Sequence, residues 1–172
     1  MNMHDPEVTE ERYLQVIRSK TAKLFEAATA LGSLIAGASE ESIASASEYG
    51  RSLGTAFQLI DDVLDYSGNA ADIGKNVGDD LREGKPTLPL IYMLQHGSEK
   101  QRALVRACIT TGDEANFDEI LFAITRSGAL EYTRQKAEMA SQQAVSAIAS
   151  MPEGLNKDAL LELAAFAVHR NH

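Results

Sequence analysis

The apolar residues of the first third of the chain recur in steps of three and four. Leu14, Ile17, Thr21, Leu24, Ala28, Leu31 and Ile35 trace one helical stripe, and Ile43, Ala46, Gly50, Leu53, Phe57, Ile60 and Leu64 trace a second. No stretch keeps the strict alternation of a half-buried strand. Alanine, the best helix former, is the commonest residue with 25 copies. The chain is therefore expected to be all-α.

Thr9 reads as an N-cap, with Glu10 and Glu11 at the positive end of a helix that continues to Gly37. Ser39, followed by Glu40 and Glu41, opens the next. Gly50 and Gly54 inside it each cost about 1 kcal/mol against alanine, so another helix is expected to approach that surface closely. Over residues 67–85 the periodicity stops. Gly68, Gly74, Gly78 and Gly84, with Asn69 and Asn76, predict an irregular glycine-rich loop of a length that usually has a function. Pro86 then starts an apolar helix, expected to be buried, that ends at His96. Ser98 and Gln101 form a capping box for a helix closing at Gly112. Helices are also expected over about 116–127, 130–150 and 156–170. This makes about seven helices in a single domain over residues 1–172, with a flexible N-terminus over 1–8.

Charge and composition narrow the class. Sixteen Lys and Arg against 25 Asp and Glu leave a net charge of −9, the wrong sign for non-specific nucleic-acid binding. An apolar share of 44% is enough for a core. The lone Cys108 excludes an internal disulfide, and no run approaches the roughly 20 apolar residues of a membrane span. Residues 1–11 are acidic and contain Pro6, unlike a signal peptide. A cytoplasmic protein without a transmembrane segment is expected.

The densest chemical signal is Phe57-Gln58-Leu59-Ile60-Asp61-Asp62-Val63-Leu64-Asp65. On a helix Gln58, Asp61, Asp62 and Asp65 fall at i, i+3, i+4 and i+7. Three carboxylates so placed repel one another, and no basic residue lies within a turn of them. A hard divalent cation would neutralise them, and Mg²⁺ typically takes one or two protein carboxylates together with substrate phosphates. A solvated acidic face near a helix end is the competing reading. The loop that follows carries Lys75, Arg82 and Lys85 among glycines, as a phosphate-bearing ligand would favour, although Asp72, Asp79, Asp80 and Glu83 equally make a charge-balanced surface. Lys20 lies on the apolar side of its helix. It is either a rim lysine reaching water or, with Thr21, Gln58 and Asp61, part of one cleft.

Ser19-Lys20-Thr21, the segment from Phe57 to Tyr66, and Gly74-Lys75-Asn76-Val77-Gly78-Asp79-Asp80-Leu81-Arg82-Glu83-Gly84-Lys85-Pro86-Thr87-Leu88-Pro89-Leu90 together resemble the C-terminal half of a trans-polyprenyl diphosphate synthase. Their wording is closest to the bacterial octaprenyl diphosphate synthases that supply the ubiquinone side chain. The resemblance implies a helical bundle of the isoprenoid synthase type. It implies a prenyl transfer in which an allylic prenyl diphosphate loses diphosphate with Mg²⁺ assistance and the double bond of isopentenyl diphosphate captures the cation. It makes Asp61, Asp62 and Asp65 the second aspartate-rich, metal-holding motif. Lys20, Lys75 and Lys85 become diphosphate ligands. Lys20, Thr21 and Gln58 become catalytic residues, with Thr21 and Gln58 facing the first carbons of the allylic chain.

The family's first aspartate-rich motif, its Gly-Gly-Lys-Arg-type loop and the basic residues for isopentenyl diphosphate do not occur here, and Asp79-Asp80 followed by Leu81, Arg82 and Glu83 does not replace them. The chain is accordingly expected to be incomplete and inactive alone, and to form a homodimer or higher homo-oligomer through its apolar stripes. Two alternatives are a non-catalytic helical subunit of a heteromeric synthase and an unrelated cation-binding module. No EF-hand spacing supports the last.

Overall fold

A computed structural model describes residues 3–67, 78–112 and 116–170, and among them every regular element is a helix. In chain order these are α1 (Glu10–Ile17), a π-helical turn (Arg18–Ala22), α2 (Lys23–Ile35), α3 (Glu40–Ser67), the short α4 (Asp79–Arg82), α5 (Leu88–His96), α6 (Glu99–Thr111), α7 (Phe117–Arg126), α8 (Ala129–Ala147) and α9 (Leu155–His169). The expected caps are present. Thr9 Oγ1 accepts from the Arg12 amide at 3.2 Å, Ser39 Oγ from the Ser42 amide at 3.2 Å, and Ser98 with Gln101 closes a full capping box.

The expected helix from Thr9 to Gly37 is continuous but not uniform. The π turn at residues 18–22 inserts one extra residue, and each residue turns the helix by about 100°. Buried positions therefore run Tyr13, Ile17, then Ala22 rather than Thr21, and continue through half-buried Phe25 and Thr29. The stripe foreseen at Leu24, Ala28, Leu31 and Ile35 is rotated out, with Leu24 76% and Ile35 85% exposed. The sequence contains no glycine or proline to announce the slip.

The helices form two compact units, with α1, α3 and α8 contributing residues to both. In the first, which includes residues 61–134, Leu81, Leu90, Met93, Val105, Ile109, Ile120 and Ile124 make the core, and α5 is buried as its composition foretold. Of the loop expected over 67–85, residues 68–77 lie outside the described residues; in the remainder the short α4 stands between Gly78 and Gly84, both in the left-handed region, and a Cβ on Gly78 would sit 2.5 Å from Phe117. Residues 3–8, part of the N-terminus expected to be flexible, make defined contacts. The His4 amide donates to the Gly84 carbonyl at 2.9 Å, Glu7 pairs with Arg106, and Val8 is buried.

The second unit comprises residues 15–60 and 135–170 around Tyr49, Leu53, Ala144, Ile148, Ala164 and Ala167. Here α2 meets α3 at the glycines, as their cost implied. A Cβ on Gly54 would lie 2.6 Å from the Ala22 Cα, and one on Gly50 would lie 2.5 Å from the Phe25 carbonyl oxygen. Lys157 ties down the end of α8, donating to the Ala149 and Met151 carbonyls at 3.0 Å each.

Candidate active site

The three aspartates at the end of α3 occupy three environments. Asp61 is exposed, Asp62 is 1% exposed and Asp65 is half-buried. Adjacent helical residues diverge by about 100°, so Asp61 and Asp62 flank the shared face and one turns outward while the other turns inward. Asp62 accepts a hydrogen bond from the Tyr13 hydroxyl, and Lys85 Nζ stands 3.7 Å from its other oxygen. Lys85 also contacts both oxygens of Asp80, at 2.8 and 2.7 Å. Asp65 Oδ2 accepts from the Asp80 amide at 3.2 Å, and its carbonyl accepts from Gly78 at 2.7 Å. The short α4 thus docks against the end of α3 through backbone and side chain alike.

The electrostatics follow burial. Asp65 is pushed up to about 7, first by desolvation and then by the charge of Asp80; the Asp80 amide and Lys85 only partly offset this. Burial opposes the charge on Lys85, but Asp62 and Asp80 outweigh it and hold the ammonium above its ordinary range. Burial and then the Asp62 charge raise the Tyr13 phenol well above its usual value, so it stays a donor.

In the second unit the π turn presents the other candidates. Thr21 Oγ1 donates to Gln58 Oε1 at 2.7 Å, joining two motifs that lie 37 residues apart. Lys20, on the same turn, is exposed. Lys75 lies outside the described residues. The structure therefore brings Thr21 to Gln58 and Lys85 to Asp62. Sequence reasoning missed Tyr13 and Asp80 as partners. Tyr13 carries a signal, since it stands one turn before Ile17 on the buried face. Asp80 carries none, because its contact depends on the α4 turn.

Among the described residues no three metal-ligating side chains converge. Mg²⁺ does not demand that, because water and substrate phosphate usually complete its shell. Solvent-open Asp61 and cation-starved Asp65 fit such a partial site. No helix among the described residues is long and apolar enough to cross a membrane.

The chain is similar to known proteins along its whole length. The sequence pattern of the polyprenyl synthetase family matches residues 1–124. Octaprenyl diphosphate synthase of Haemophilus influenzae is 49% identical over 173 residues, covering 100% of this chain and 53% of that protein. The Escherichia coli octaprenyl diphosphate synthase is 47% identical, covering 99% and 53%. The crystal structure of a polyprenyl synthase from Caulobacter crescentus, complexed with calcium and isoprenyl diphosphate, superposes with a TM-score of 0.93 at 39% identity, covering 100% of this chain and 53% of that one. The chain spans about half the length of the relatives it matches.

Proposed function

The chain belongs to the polyprenyl synthetase family, and on that footing we propose that it is the C-terminal half of a prenyltransferase that condenses isopentenyl diphosphate with an allylic diphosphate into a long all-trans chain. The chain length of the octaprenyl relatives is the one it fits. In the reaction the allylic C–O bond breaks, diphosphate leaves with the electron pair, the double bond of isopentenyl diphosphate attacks the cation, and a proton is then lost.

Each residue has a distinct part. Asp61 and Asp65 hold the divalent cation, which when bound neutralises the departing diphosphate. Lys20 and Lys75 bind diphosphate oxygens. Thr21 and Gln58 aim their oxygen dipoles at the first allylic carbons, where positive charge develops. Asp62 and Lys85, turned toward each other, Tyr13 and Asp80, keep the end of α3 in place; Lys85 reaches diphosphate only by leaving Asp80. The observation that carries the reading is the Thr21–Gln58 contact, which unites two family motifs at 2.7 Å.

A chimera tests it. This chain is substituted for the matching half of the E. coli octaprenyl diphosphate synthase and incubated with labelled isopentenyl diphosphate, farnesyl diphosphate and Mg²⁺. Long-chain product is expected from the chimera and none from this chain alone. A folded, inert chimera would sink the proposal.

A further inference from the structure

Arg170, the residue that closes α9, grips the peptide unit from which Gln58 extends. Its Nη2 donates to the Phe57 carbonyl at 2.9 Å, and its guanidinium carbon lies 3.7 Å from the centre of the Phe57 ring. The Phe57 carbonyl and the Gln58 amide belong to one planar group that also contains the Gln58 Cα. A hydrogen bond and a ring stack from a single planar fork fix that group in two directions at once. The Phe57 ring has a second neighbour in Phe25, centre to centre at 5.7 Å. One residue on, Gln58 meets the Thr21 hydroxyl.

Helix formation does not call for this arrangement. A mid-helix carbonyl already has the amide four residues ahead as its partner. An arginine at the end of a terminal helix would ordinarily reach water with its charged head. Here it turns back onto α3 instead, within the second unit.

We propose that Arg170 is a positioning residue for Gln58. By holding the Phe57 carbonyl and ring it sets the rotation of the turn that delivers the Gln58 amide to Thr21, and through that pair it sets the fit of the first allylic carbons. The inference rests on the substrate role given above to Thr21 and Gln58, and its test separates the two.

The full chain is compared with Arg170→Gln and Arg170→Lys. Nitrogen-15 NMR follows the Gln58 side-chain amide, and titration with Mg²⁺ measures inorganic diphosphate and the uncleavable farnesyl thiodiphosphate. In Arg170→Gln the Gln58 signals should shift, and the farnesyl analogue should weaken by about tenfold while inorganic diphosphate is unchanged. Arg170→Lys, which keeps a cationic donor, should recover part of both effects. Gln58 signals that stay in place in a folded Arg170→Gln protein overturn the inference. So does a parallel loss of both ligands, or failure of both variants to fold, each of which marks Arg170 as a prop of the fold alone. A Gln58 shift in a chain whose wild type shows no preference for the farnesyl analogue leaves the positioning intact and removes Gln58 from the substrate site.

Discussion

Tyr13 donates its phenolic proton to Asp62, a carboxylate 49 residues away that is almost wholly buried. Tyr13→Phe keeps the ring and deletes the donor, leaving Asp62 with Lys85 at 3.7 Å. Hydrogen bonds to charged groups contribute about 1.5–3 kcal/mol, so chemical denaturation should show a loss of that order. An unchanged midpoint would show that Lys85 suffices.

Asp61 and Asp62 should fail differently. In the chimera Asp61→Ala is expected to cut turnover by about a hundredfold or more at unchanged thermal stability, because it removes charge stabilisation at an exposed position. Asp62→Ala removes the buried acceptor of the Tyr13 hydroxyl and one of the two carboxylates facing Lys85, and should cost about 1–3 kcal/mol before any assay of activity. Equal melting temperatures for the two variants would contradict this division.

Asp65 makes stability depend on pH. Its carboxyl titrates near 7 in the fold against 3.8 when unperturbed, so the folded state binds the proton more tightly. Its contribution is therefore full below about pH 4 and is lost as the pH rises toward 7. Asp65→Asn should raise the melting temperature at pH 8 and change little at pH 4. Added Mg²⁺ should stabilise the wild type more at pH 8 than at pH 5, with proton release visible by calorimetry in two buffers. A difference between variant and wild type that ignores pH would refute the assignment.

Gly54→Ala should destabilise despite alanine's better helix propensity, since the new Cβ would lie 2.6 Å from the Ala22 Cα; overpacking typically costs about 1–3 kcal/mol. Gly32→Ala on α2 is the control. Nothing stands within 4 Å of its Cβ, so a gain of up to about 1 kcal/mol is expected. Equal effects at the two positions would deny the close crossing of α2 and α3.

The outward stripe of α2 should drive association. Leu24, Leu31, Leu34 and Ile35 are all more than half exposed, whereas most of the α3 stripe is already covered. Sedimentation at micromolar concentration should show at least a dimer, and Leu31→Glu with Ile35→Lys should give a monomer. A monomeric wild type would end this line.

What the sequence disclosed was whatever depends on neighbours a few residues apart. The capping box at Ser98, the buried α5 and the close approach at Gly50 and Gly54 were all legible, because propensity and helix spacing are local. Helix positions offer one cleft for Lys20, Thr21, Gln58 and Asp61, but they do not say which pair touches, and the Thr21–Gln58 bond is visible only in the fold. Asp62 was grouped with Asp61 because a helical wheel assigns a face but not the depth at which each residue sits. The α2 stripe was misplaced for a related reason, as the slip at residues 18–22 follows from packing against α3 and leaves no mark in composition.

The extra residue in that turn also acts as a phase setting. If residues 18–22 rewound as ordinary α-helix with every residue kept, α2 would swing by about 100° about its own axis. Leu24, Leu31 and Ile35 would then turn inward, an outcome that hydrophobic burial alone favours. The same rotation would carry Phe25 and Thr29 off Gly50 and pull Thr21 away from Gln58. A one-residue deletion within the turn would instead leave Phe25 and Thr29 facing α3, so the length of this segment, and not its apolar content, decides which face α2 buries.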